Sequence, residues 1–289
     1  MQQLALDLFD CPSASSVPPS AVVPDASPAP NTAATPDYSH PRANRRVLLA
    51  GVLVAYELCR RRRRTIGFSI GPEGLTVSAP RWTTLAEVDA ALREKARWIT
   101  TRLLQARKRA VLLAAARIDW RAGASVPYLG EPLLLAADPH VSRLLGGAVL
   151  DPAASATGQP RTLRLALPPE ATPAQWRDAA GAWLTCQARR LFTARLDHYA
   201  PQLGVHWQRL SLSSAQTRWG SATDAGWIRL NWRLIHFSLP VIDYVVVHEL
   251  AHLREMNHSP RFWAHVERIL PDYGAHRATL RETVLPPWA

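Results

Sequence analysis

Ser238-Leu239-Pro240-Val241-Ile242-Asp243-Tyr244-Val245-Val246-Val247-His248-Glu249-Leu250-Ala251-His252 is the stretch from which the rest of the chain is read. Ser238 is placed to cap a helix, and Pro240 is tolerated within its first turn. Four residues separate His248 from His252, so on a helix both imidazoles leave one face and can converge on one ion. Glu249 projects about 100° round from His248, which sets its carboxylate beside that ion rather than under it. Two ligands and a general base at this spacing form the H-E-x-x-H pattern of zinc hydrolases. Three valines lead into His248 and suggest a buried wall. Polar groups inside such a wall need a partner, and a metal ion is the simplest one.

A tetrahedral site with an open position needs a third protein ligand. Glu255 lies on the same stripe, but the seven residues from His248 span roughly 10.5 Å on a straight helix, too far for a ligand bond. The helix must therefore break. Asn257 tolerates the left-handed conformation that ends helices, and Ser259-Pro260 restart one as N-cap and first helical residue. His258 stands on that hinge and is the expected third ligand. His265, His276 and His236 compete for the place, although His265 shares a face with Phe262 and Ile269 and reads as packing. The expected site is thus His248, His252 and His258 around Zn2+, with Glu249 as base. Arg218 and Tyr244 are candidates for oxyanion stabilisation, against a plain structural role for each.

Outward from this segment the texture changes several times. Residues 11–41 hold 8 of the 24 prolines with much Ser and Ala, a composition that cannot offset its own ordering entropy. Residues 1–44 are accordingly expected to be a disordered tail. Its apolar tip, Gln3-Leu4-Ala5-Leu6-Asp7-Leu8-Phe9, resembles the short peptides that dock bacterial DNA-associated proteins onto the sliding clamp; the bland alternative is a strand or turn packed on its own domain. Residues 45–137 read as a basic, β-rich subdomain, with Val47–Leu58 and Thr65–Ile70 as strands. A capped helix follows, beginning at Thr83/Thr84 with Glu87 and running towards Ala116. Residues 138–160 read as an irregular loop insertion. Residues 161–289 read as the catalytic domain: a strand at Arg161–Leu167, a long helix from Thr172-Pro173, two short strands at Leu210–Ser213 and Trp227–Leu230, and three closing helices.

With those motifs in place, a family resemblance is visible. His248-Glu249-Leu250-Ala251-His252-Leu253, Asn257-His258-Ser259-Pro260, Phe262-Trp263 and Leu270-Pro271-Asp272-Tyr273 resemble the YgjP-like metal-dependent hydrolases, relatives of the SprT-like zincins. Arg218-Trp219-Gly220-Ser221 and Leu230-Asn231-Trp232-Arg233-Leu234 look like strand motifs of that family, and Tyr128-Leu129-Gly130 fits as well. The resemblance implies an α+β fold: a zincin-like catalytic core, with the H-E-x-x-H helix on a small sheet, after an N-terminal β-rich subdomain with a long helix. Where family members often carry Cys after Arg-Trp-Gly-Ser, this chain has Ala222.

The 289 residues carry a net charge of +11 and 47% hydrophobic residues, enough apolar content for a packed core. Between Arg42 and Arg109 there are 16 Lys or Arg against 5 Asp or Glu, so the N-terminal half could meet phosphates or nucleic acid. The run Arg60–Arg64 is equally well read as a solvated strand. No apolar stretch is long enough for a membrane helix, and the first residues lack a basic region before an apolar one, so no signal peptide is expected. Three scattered cysteines (Cys11, Cys59, Cys186) suggest a reducing, cytoplasmic setting. Three functions compete: a zinc metallopeptidase acting on extended polypeptide, a metal-dependent nucleoside triphosphate pyrophosphohydrolase, and a DNA-associated adaptor whose metal is structural. An intact Glu249 speaks against the third.

Overall fold

The structure, a computed structural model, describes residues 4–7, 35–141, 147–151, 160–215 and 217–288. The chain divides into two compact units, one of residues 15–116 and one of Met1–Ala14 with Arg117–Ala289. The expected boundary at residue 137 thus moves to 116, because the following hairpin pairs with later strands of the C-terminal unit.

In the basic unit, β2 (Tyr38–Ser39), β3 (Arg45–Leu49) and β6 (Gly74–Ala79) all pair with β4 (Val52–Arg60), and β5 (Gly67–Gly71) closes the order on β6. Val47–Leu58 is therefore not one strand. It folds at Ala50-Gly51, where both residues have positive φ (51° and 83°), the geometry that two-residue hairpins require. Helix α1 (Leu85–Glu94) begins with the expected capping box between Thr84 and Glu87. It stops at Lys95, and a separate α2 (Ala96–Ala115) follows. Val88, Leu92, Ile99 and Leu103 bury one helical face on the sheet with Val54, Tyr56, Leu75 and Val77. The arginine run leaves the sheet at once, since Arg60 ends β4 and donates to the carbonyls of Pro80 and Thr83. Arg61–Arg64 form an exposed loop, not a strand.

In the other unit, β7 (Ser125–Tyr128), β8 (Glu131–Ala137), β9 (Ala148–Leu150) and β10 (Arg161–Leu165) form a sheet in the order β7-β8-β10-β9. Part of the expected loop at 138–160 is thus a strand, β9, antiparallel to β10; residues 142–146 and 152–159 lie outside the described residues. Helix α3 (Pro173–Leu203) buries Trp176, Ala180, Leu184, Ala188, Phe192, Leu196 and Ala200, one residue every four. A second sheet takes the order β1-β12-β13-β11, from β1 (Leu4–Asp7), β11 (Arg209–Ser213), β12 (Arg218–Ala222) and β13 (Trp227–Asn231). The expected tail therefore contributes two strands, β1 here and β2 in the basic unit. Gln3, Leu8 and Phe9 of the expected clamp-docking peptide lie outside the described residues.

The strand motif expected over Leu230–Leu234 ends early. Asn231 turns its side-chain oxygen to the Arg233 amide and its amino group to the carbonyls of Ala215 and Arg218, so a 3-10 helix follows over Trp232–His236. Tyr128-Leu129-Gly130 makes the β7–β8 turn, with φ of 55° at Leu129 and 84° at Gly130. Its amides donate to the carbonyls of Ile235 and His236. A Cβ on Gly130 would stand 3.1 Å from Ser238 Cβ, so this turn needs glycine to seat the start of α4 (Leu239–Ala251). Two short helices, α5 (Pro260–Ile269) and α6 (Tyr273–Glu282), complete the unit.

Every residue of α4 from Val241 to Ala251 is buried. Burying each large apolar side chain there is worth about 1.5–3 kcal/mol. One buried charge fixes the rotation of α4 against α3. Asp243 accepts from Arg195 Nε at 2.6 Å and Nη2 at 2.9 Å, and from the Tyr199 hydroxyl at 3.0 Å. Arg195→Met strands that carboxylate, and urea unfolding should show a loss of about 3–5 kcal/mol. The double variant Arg195→Met/Asp243→Leu should recover most of it; equal loss in both would contradict this account of the pair.

His236 has a different role. Its Nδ1 lies 2.6 Å from the Pro127 carbonyl and its ring stacks on Trp288. Burial lowers its pKa to about 4. Because the unfolded chain takes up that proton first, the stability from neutral His236 is complete above about 6.5 and is lost as pH falls through about 4. The slope should remove about 3 kcal/mol across that window, and His236→Gln should flatten that part of it in chelator-treated protein.

Candidate metal centre

The three histidines meet. His248 ends the apolar run of α4, His252 caps the helix, and the chain turns so that His258 folds back. One ring nitrogen from each lies within 4.8 Å of the others, and the Nε2 atoms of His248 and His258 are 3.1 Å apart. His248 and His252 are buried and His258 is exposed, so the centre has one dry side and one side open to solvent. His252 Nδ1 lies 3.3 Å from the Glu255 carbonyl. A proton on that nitrogen leaves Nε2 with its lone pair towards the cluster. Glu255 is thus no ligand, yet its backbone orients one.

The hinge closes by a route different from the one expected. Asn257 does not adopt a left-handed conformation. Its side-chain oxygen accepts from the Ser259 amide at 3.0 Å instead, a local turn that this side chain makes easily. Ser259 then caps α5 by accepting from the Phe262 amide, with Pro260 at the first helical position.

Phe262 is a residue whose role the sequence did not disclose. Its ring lies 4.8, 4.6 and 4.8 Å from those of His248, His252 and His258, a wedge against all three. Trp263 stacks on His258 at 5.7 Å, and Tyr273 stacks on Trp263 at 5.3 Å. Arg277 of α6 holds its guanidinium 4.9 Å over Trp263, and its charge reaches His248 and Tyr244. No local spacing in the sequence links Arg277 to His248, and only the packing of α6 beside α4 could reveal it.

Glu249 is fully buried, and both carboxylate oxygens lack a hydrogen-bond partner. Burial therefore pushes its pKa well above the usual carboxylate range. It lies against β12: a Cβ on Gly220 would collide with Glu249 Oε1 and stand 2.7 Å from Cδ. Burial, with the neighbouring imidazoles, holds His248 well below its ordinary pKa and brings His252 to about 4. Both rings are neutral at pH 7, the state a metal ligand needs. His252 Nε2 is likewise buried with no partner. Orphaned nitrogen and carboxylate oxygen beside a tight set of imidazoles fit a divalent cation with a water.

Tyr244 is buried one turn before His248, with ring centroids 5.9 Å apart and its hydroxyl unpartnered. Burial raises its pKa strongly, so it stays protonated. Arg218 opens β12 two residues before Gly220, on the same face of the strand. Its described hydrogen bond is through the backbone, where its carbonyl accepts from Asn231 at 3.2 Å. His265 lies on α5 in a groove with Leu203, Gly204 and Arg268. Neither it nor His276 or His236 joins the cluster.

The YgjP-like family, described as a metallopeptidase domain, matches residues 64–283 of this chain. A comparison with curated proteins returns no match. Among solved structures, the metallopeptidase zymogen of Pyrococcus abyssi abylysin is similar at 21% identity, over 33% of this chain and 99% of that one, with a TM-score of 0.29.

Elemental analysis of the purified protein should find close to one divalent ion per chain. His258→Ala removes the solvent-side ligand and should weaken affinity by at least the roughly 10- to 100-fold that the loss of an outer-shell partner costs. His265→Ala should leave it unchanged. Equal metal content in all three proteins would refute the assignment.

Proposed function

The chain belongs to the YgjP-like metallopeptidase family, and from that premise we propose that it is a zinc-dependent peptidase in which Glu249 is the general base. The observation that carries this reading is the pairing of an unpartnered, buried carboxylate with three converged imidazoles. A purely structural metal site has no use for such a carboxylate. Zinc bound by His248, His252 and His258 would supply Lewis acidity and a coordinated water with a pKa near 7. Glu249 takes a proton at a carboxylate oxygen and returns it to the leaving amine. The Tyr244 hydroxyl, kept protonated, and Arg218 at the head of β12 are the groups proposed to support negative charge developing on the attacked carbonyl oxygen.

A second reading, hydrolysis of nucleoside triphosphates, is favoured by one observation. Arg277, whose guanidinium lies over Trp263, adds positive charge that reaches His248, and such a field favours an anionic phosphate at the centre. One experiment separates the two. Purified protein is incubated with denatured casein and, separately, with the four ribonucleoside triphosphates, each with and without chelator. Casein cleavage is expected, abolished by chelator and lowered about 100- to 10,000-fold in Glu249→Ala with metal content preserved. Pyrophosphate release without proteolysis would overturn the peptidase in favour of the second reading.

A further inference from the structure

β12 is the strand on which Glu249 rests, through Gly220. One of its edges is taken by β13; the other is taken by β1, the chain's own N-terminal segment. The pairing is antiparallel, with Leu4 opposite Ala222, Ala5 opposite Ser221 and Leu6 opposite Gly220, and a register shift before Asp7 meets Arg218. Leu6 is therefore one strand spacing, about 4.8 Å, from the glycine that touches the general base. The catalytic unit otherwise runs continuously from Arg117, and β1 reaches it from the far side of the other unit in sequence. This segment is four residues long and adds to β12 through the main-chain hydrogen bonds of an antiparallel strand pair. Those bonds are indifferent to sequence, so any extended polypeptide can make them in its place.

We infer that Leu4–Asp7 is an internal competitor for the peptide-binding edge of β12, so that the N-terminus keeps the site partly closed in cis. The inference rests on the peptidase reading. Its segment is the one whose Leu-Ala-Leu-Asp texture suggested a docking peptide, and the surface it occupies belongs to the same chain. Occupancy by an internal strand lowers the fraction of molecules competent to bind substrate and raises the apparent KM by that factor, while kcat is unchanged.

The test compares three full-length zinc-loaded proteins with one lacking residues 1–9: wild type, Ala5→Pro and Leu6→Pro. Alternate amides along a strand face its partner, so one of the two prolines must delete a ladder bond. Hydrolysis of a quenched fluorescent peptide is read beside hydrogen exchange at the amides of Arg218–Ala222. Removal of residues 1–9 should lower KM by about three- to tenfold at constant kcat, and the β12 amides should exchange faster. One proline variant should follow the truncation, and a synthetic Gln2–Phe9 peptide should inhibit the truncated protein competitively. Unchanged exchange on truncation would show that β1 does not lie on β12 and would overturn the inference. Faster exchange with the same KM would overturn it too, by showing that the edge is not where substrate binds. Absence of cleavage in every form, with exchange still faster after truncation, would instead locate the failure in the peptidase reading, and the competition would fall with it.

Discussion

A carboxylate and two imidazoles buried in a helix of valines cannot be left as they stand. The wall of α4 is dry from Val241 to Ala251, and inside it an isolated ionised carboxylate is far too costly. Glu249 has no hydrogen-bond partner, although Arg195 is spent nearly two turns away on Asp243. The helix thus carries two acidic residues six positions apart with opposite treatments. Asp243 is fully compensated by a forked guanidinium and a tyrosine. Glu249 is deprived of any compensation. A protein fold that can satisfy one buried acid and leaves the next one bare retains the bare one for a partner that is not protein.

The surroundings of the cluster follow from that need. Three imidazoles held close together repel protons from one another, which is one reason why His248 and His252 are held low, burial being the larger. They would also drift apart without support, since each has two free side-chain torsions. Phe262 prevents this by standing against all three rings, and Trp263 and Tyr273 extend the stack towards α6. On the opposite flank, Gly220 lets β12 approach the Glu249 carboxylate as no residue with a side chain could. The ligands and the base are therefore packed against different elements, the rings on Phe262 and the carboxylate on Gly220.

Much of this was legible in the sequence because it is local. The i, i+4 spacing of His248 and His252, the serine-proline restart at Ser259-Pro260, the capping pair at Thr84/Glu87 and the helix start at Thr172-Pro173 are all short-range signals with one physical meaning. The places where expectation and structure part are those where distance along the chain hides the cause. Val47–Leu58 breaks at Ala50-Gly51, and alanine gives little warning of a left-handed turn. Asn257 ends the hinge through its side chain rather than its backbone, and both are habits of asparagine. The roles of Arg277, of the Tyr128-Leu129-Gly130 turn and of β1 are tertiary. Each depends on a contact with a residue more than twenty positions away, which no pattern of neighbours encodes.

The small sheet of the catalytic unit also faces a conflict that β1 resolves. An edge strand presents unpaired amides and carbonyls and invites association with other chains. Usual protections are a charge, a bulge or a covering element, and a peptidase that reads extended chains cannot use a permanent cover on the strand that must receive them. β12 is short and carries its arginine at the end, which limits the hazard without removing it. A four-residue partner from the same chain, paired with an irregularity in register, covers the edge, and in the proposed competition substrate displaces it. Its shortness, which would be a defect in a structural strand, is what an exchangeable cover requires.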